Sequence, residues 1–176
     1  MWLRAVVLTA LAAAAGCAGG SAGPARAVTP DFRAVNLRNL DGTAVSLSSV
    51  LDGRPTLVSF WAPWCEPCLR EQPELERLSR AASACGGSVV GVAVGESSAT
   101  VSAFVRENRL TFPEFTDADF ALADAMGQRR IPATVVFDAA ARIVFTGSAL
   151  ADAAVDALTA VVPPRSDGAR CDLRAR

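Results

Sequence analysis

The feature that most constrains this chain is the stretch RPTLVSFWAPWCEPCLREQPELERL, residues 54–78. An apolar run rich in strand formers passes directly into a segment with Leu69, Leu75 and Leu78 on one helical face. A buried strand feeding a helix begins a β-α-β unit, which implies parallel pairing and a right-handed crossover. At the join sit Cys65 and Cys68. These two sulfurs either hold a metal, staple a short loop or pass electrons.

A thiolate at Cys65 faces the positive end of the helix dipole and unpaired backbone N–H groups, which lower its pKa. Cys68 lies one turn further on the same face, placed to attack a mixed disulfide formed at Cys65. Pro67 stiffens the first turn. Glu66 sets a carboxylate beside both sulfurs, expected to disfavour the thiolate and tune the redox potential. A zinc site needs two more ligands, and the 176-residue chain has no histidine and only distant further cysteines. Of the three readings, redox exchange fits the flanking residues best.

Composition narrows the rest. Without His or Lys, the chain has no Ser–His or Cys–His catalysis, no histidine switch, no Walker-type lysine and no Schiff base. A formal charge of −1 gives no electrostatic grip on nucleic acid. The length suits one domain with a proper core.

Residues 1–17 read as an export signal: a short charged start, then an apolar stretch, Ala5 to Ala15, too short to span a bilayer. It ends in AAGC, which resembles a lipobox and would leave Cys17 lipidated, although Ala14 stands where leucine is usual. The alternative is cleavage near residues 25–27, releasing a soluble secreted or periplasmic protein. Either route puts the mature chain outside the cytoplasm, where disulfides persist. Residues 18–28 read as a flexible linker, 29–162 as the folded domain and 163–176 as a polar tail.

Within the domain, Asp41-Gly42 marks a hairpin between two short strands. A helix is predicted from about Cys65 to Ala84, kinked at Pro73 and ended by Gly86-Gly87. SVVGVAVG is a second buried strand. A helix follows from Ser97 or Ser98 to about Asn108, then a shorter one, DADFALADAMG, ending at Gly127. ATVVFD and RIVFTG form an antiparallel pair, and ALADAAVDALTAVV is the last helix. The expected architecture is an α/β sandwich around a mixed central sheet flanked by helices.

Several segments together resemble the thioredoxin superfamily, and within it the exported TlpA/ResA/DsbE-like thiol–disulfide oxidoreductases. They are LVSFWAPWCEPC followed by REQPEL, SAFVRENRLTFPEF, and RRIPATVVFD followed by ARIVFTG, over roughly residues 29–162. The resemblance implies a thioredoxin-like fold with an N-terminal β-hairpin and an inserted helical segment. It implies that Cys65 is the exposed attacking cysteine and Cys68 the buried resolving one. Pro132 matches a cis-proline lying against the active site, exposing the Ile131 backbone to a partner peptide; the alternative is an ordinary trans turn proline. Glu71 matches an acidic residue near the thiol pair that relays a proton to Cys68; the alternative is a solvated surface glutamate. Trp64 is expected to pack beside the sulfurs and shape the contact surface, whereas Trp61 has no assigned role beyond packing. Ser59 departs from thioredoxin itself, which carries a buried acid at that position.

With Cys17 lipidated and Cys65/Cys68 active, Cys85 and Cys171 remain, an even count that suggests a structural disulfide pinning the tail. The alternative is two unpaired surface thiols. The activity expected is disulfide exchange with exported proteins, using no cofactor beyond the redox-active disulfide. Reduction is the expected direction, apocytochrome c the family client, and a membrane carrier of DsbD/CcdA type the electron donor. A disulfide-forming oxidant is the rival. A peroxiredoxin-type peroxidase ranks low, because Ala62 stands where its T/S-x-x-C motif needs a hydroxyl. The chain is expected to act as a monomer, held to the membrane through its lipid.

Overall fold

The computed structural model describes residues 31–165 and 167–174. Cys17, the export stretch and the 18–28 linker lie outside them. The elements run β1 (Asn36–Arg38), β2 (Ala44–Ser46), α1 (Leu47–Leu51), β3 (Thr56–Trp61), α2 (Glu66–Ala84), β4 (Ser88–Val94) and α3 (Ser98–Asn108). They continue β5 (Glu114–Asp117), α4 (Ala121–Ala125), β6 (Ala133–Phe137), β7 (Ile143–Gly147) and α5 (Asp152–Val161). One seven-stranded mixed sheet has the order β2-β1-β5-β4-β3-β6-β7. The β3–β4 and β4–β5 pairs are parallel and the others antiparallel.

All residues of β3 and β4 are buried, because helices cover both faces of the sheet. Val58, Phe60, Val90 and Val92 pack with α1 and α4. Leu57, Val89 and Val136 pack with Leu75 and Leu78 of α2 and Leu158 of α5. The N-terminal hairpin turns at Asp41-Gly42: Asp41 Oδ1 accepts the Thr43 N–H at 2.8 Å, and Gly42 takes the left-handed conformation, φ +87°.

Three features differ from the sequence expectations or were not seen in the sequence. The second hairpin strand stops at Ser46 and Leu47–Leu51 form α1: Ser46 caps it, its side chain accepting the Ser49 N–H. The chain returns to the sheet at β5, a strand the sequence did not reveal because two of its four residues are Glu114 and Asp117. The inserted helix is only Ala121–Ala125. Asp117, four residues before the helix begins, caps it, accepting the Leu122 and Ala123 N–H groups at 3.2 and 2.9 Å, while Phe120 stands in the left-handed region, φ +58°. Pro73 lies inside α2, which continues past it to Ala84.

The polar C-terminal segment docks through its few apolar side chains. Leu173 is fully buried among Leu57, Leu75 and Leu78, and Arg77 Nη1 donates to its carbonyl at 2.9 Å. Among the described residues no helix is long and apolar enough to cross a membrane.

Candidate active site

Cys65 is the N-cap of α2, its Sγ accepting the Cys68 N–H at 3.3 Å. Pro67 occupies the first turn, where a missing N–H costs nothing. Cys65 and Cys68 are joined in a disulfide with Cα atoms 5.3 Å apart. Among the described residues no three Cys, Asp or Glu side chains converge as a metal site requires.

Both sulfurs sit in an apolar cluster with Trp61, Ala62, Ala93 and Val101, against which Ile131 packs. Cys65 retains 5% of its surface and Cys68 1%. The order of accessibility is as expected, but Cys65 is recessed rather than exposed, because Trp61 and Ile131 close around the helix start. The Ile131–Pro132 peptide bond is cis.

Trp64, next in the chain to Cys65, is turned to the surface. Its ring is 67% exposed, and its Nε1–H donates to Glu96 Oε1 at 3.0 Å. It forms one wall of a surface cavity of about 370 Å³ shared with Phe60, Phe120, Arg129 and Ile131. Gly95 makes room for Phe120 there: an added Cβ would lie 2.5 Å from the ring. Glu66 turns to Arg70, one helical turn along, at 2.8 Å on the exposed face. Glu71 ties α2 to the loop before α5: its Oε1 accepts the Leu150 N–H at 3.1 Å, and its Oε2 is buried with no hydrogen-bond partner among the described residues. Burial pushes its carboxyl above the usual range, against the Leu150 hydrogen bond.

The site also contains a residue that sequence reasoning missed. Glu114 on β5 is 5% exposed, and its Oε2 accepts the Trp61 indole N–H at 2.8 Å. Burial is the main cause that pushes its carboxyl from 4.5 up to about 8, with the charge of Glu76 adding and the Trp61 hydrogen bond opposing. The only trace in the sequence was an acidic residue next to an apolar TFP. Between pH 4.5 and 8 the folded chain keeps a proton that the unfolded chain has lost, so stability falls as pH rises through this window. The loss is on the order of 4–5 kcal/mol. Glu114→Gln stays neutral and should flatten that decline in urea melts at pH 5 and pH 8. An unchanged decline would mean that the carboxylate is charged in the fold.

Cys85 and Cys171 form a second disulfide, with Cα atoms 6.0 Å apart. Cys85 caps the far end of α2, so the two disulfides stand at opposite ends of one helix.

Residues 24–159 match the Redoxin family. The thiol-disulfide oxidoreductase ResA of Halalkalibacterium halodurans is 33% identical over 114 residues, 64% of either chain. The soluble secreted antigen MPT53 of Mycobacterium tuberculosis is 34% identical over 106 residues, 57% of either chain. The chain therefore spans less than two thirds of the length of these relatives. Among solved structures, MTB dsbF in its mixed oxidized and reduced forms aligns with a TM-score of 0.64 at 27% identity, covering 76% of this chain and 98% of that one.

Proposed function

The chain belongs to the Redoxin family, within the thioredoxin superfamily, and from that premise we propose that it is an extracytoplasmic thiol–disulfide oxidoreductase acting through Cys65 and Cys68. The observation that carries this reading is the disulfide capping α2 beside the cis Ile131–Pro132 bond. Cys65 attacks a client disulfide, releasing a client thiolate and leaving a mixed disulfide. Cys68 loses its proton and attacks Cys65 Sγ, expelling the second client thiolate. The client gains two electrons and the pair returns to the disulfide.

Reduction of clients is the favoured direction. The pair is packed in an apolar cluster, where desolvation penalises a thiolate and favours the neutral disulfide. The similarity to the thiol-disulfide oxidoreductase ResA supports disulfide exchange; the clients we propose are exported proteins, with apocytochrome c as one class, and the electron donor a membrane carrier of DsbD/CcdA type. The Cys85–Cys171 disulfide supports an oxidising compartment. The name of the secreted MPT53 relative supports work outside the cytoplasm. Whether the chain is tethered through Cys17 is read by labelling with a radioactive fatty acid: label lost in Cys17→Ser supports the tether, and an unlabelled chain means a soluble secreted form.

The test of direction is the reduction potential of the pair in a defined thiol buffer. A value near or below about −270 mV is expected. A value near about −120 mV would make the protein a disulfide-forming oxidant. No reversible two-electron couple would overturn the exchange reading altogether.

A further inference from the structure

We propose that Glu114 is a positioning residue for exchange at Cys65–Cys68, a buried carboxyl whose proton is coupled to the redox state of the pair through the indole of Trp61. This rests on the exchange reading above.

Thr134, Ser59, Gly91 and Glu114 stand directly opposite one another across β6, β3, β4 and β5. Cross-strand partners share a face, so these four form one row. Residues two along from Ser59 and Gly91 on the same strands, Trp61 and Ala93, pack with the two cysteines. Gly91 is a notch in this row: an added Cβ would lie 2.1 Å from Glu114 Oε2. The carboxyl therefore lies across β4 towards β3, where Trp61 meets it.

The surroundings have the polarity of a site that handles a proton. Glu114 Oε1, both amide atoms of Gln72 and the Thr134 hydroxyl are buried without protein partners among the described residues. Gln72 is one turn beyond Cys68 on α2 and only 7% exposed. Buried polar atoms left in this way are where internal water is held. Gln72 and Glu76 also line a surface cavity of about 300 Å³ with Asn108 and Arg109.

The charged groups around Glu114 are few. Glu76 on α2 is a like charge that raises its proton affinity, and Arg109 at the end of α3 is on the wall of the same cavity. β3 and β4 present Ser59, Trp61, Gly91 and Ala93, none of which titrates in this range. Asp117, on the same strand, faces the opposite side and caps α4. An amide would accept the Trp61 hydrogen bond equally well; what a carboxyl adds is a proton it can lose.

The coupling follows from charge. Reduction breaks the Cys65–Cys68 bond, takes two electrons from a dithiol that becomes a disulfide, and leaves a thiol and a thiolate. An ionised Glu114 opposes that thiolate across Trp61, so the reduced protein holds the Glu114 proton to higher pH. Ionisation of Glu114 therefore makes the pair more reducing.

The test measures the potential of the full chain from pH 6 to pH 10 in a dithiol buffer, for wild type and Glu114→Gln. The two should coincide at pH 6. Above about pH 8 the wild type should become harder to reduce, by up to roughly tenfold in the equilibrium constant, since one pKa unit is a factor of ten. A variant-free measurement accompanies it: the tryptophan fluorescence of wild type should titrate at higher pH when reduced than when oxidised. Potentials that run parallel at every pH, or identical fluorescence midpoints, would overturn the coupling while leaving exchange intact. The absence of any reversible couple would overturn both.

Discussion

Replacing Cys85 and Cys171 together by alanine is expected to lower the stability of the fold by roughly 4–5 kcal/mol. The two residues are 86 apart in sequence, so their bond closes a long loop in the unfolded chain. Opening a loop of that length returns that much chain entropy to the unfolded state, on the order of 4–5 kcal/mol. What remains to hold the tail is modest. Burial of Leu173 contributes about 2 kcal/mol. The exposed pairs of Arg174 with Asp152 and Asp156 contribute well under about 1 kcal/mol each. The midpoint of thermal unfolding should fall by roughly 10–15 °C. The denaturant m-value should rise, because the released unfolded chain exposes more surface. A shift of only a degree or two would mean that Leu173 and its neighbours dock the tail without the bond. Exchange at Cys65–Cys68 should survive in the double variant below its melting point. The two disulfides are separated by the 19 residues of α2, about 28 Å.

That separation also explains which parts of the molecule the sequence made legible. The active pair, the start of α2 and the two central strands are local features: an apolar run, a cap and a helical period, each read within a few residues. The remaining features depend on partners far along the chain. β5 has four residues, two of them acidic, and is a strand because Gly91 to Val94 lie beside it. Glu114 is tolerated there because Gly91 lacks a side chain and Trp61 supplies a donor, 23 and 53 residues earlier. α1 has five residues of a composition that suits a strand equally well, and only the Ser46 cap decides it. Leu173 is one apolar residue in a polar tail, buried because the Cys85–Cys171 bond brings it to the core. Ser59 prompted the reading that the buried acid was missing. Instead an acid enters the same row from a different strand.

The division of labour between the two active cysteines should appear most sharply in single substitutions. Cys68→Ser should abolish turnover of a disulfide substrate such as insulin, by on the order of a thousandfold or more. It should also accumulate a one-to-one mixed disulfide through Cys65, visible by mass spectrometry and reversed by excess dithiol. Serine keeps nearly the volume of the thiol in the packed cluster, but it cannot attack Cys65 Sγ, so the second half of the exchange stops. Cys65→Ser should lose turnover equally and form no adduct. Cys68 retains 1% of its surface, and a client sulfur has no approach to it while Trp61 and Ile131 close the site. The recessed position of Cys65 sharpens the expectation further. A client must present its disulfide in an extended segment against Ile131 and Pro132 to reach Cys65, so adducts should form with flexible polypeptides faster than with rigid folded ones. Equal trapping by both variants would mean that either sulfur can be reached. Turnover retained in Cys68→Ser would remove the resolving step from Cys68 and assign release to a thiol from outside the chain.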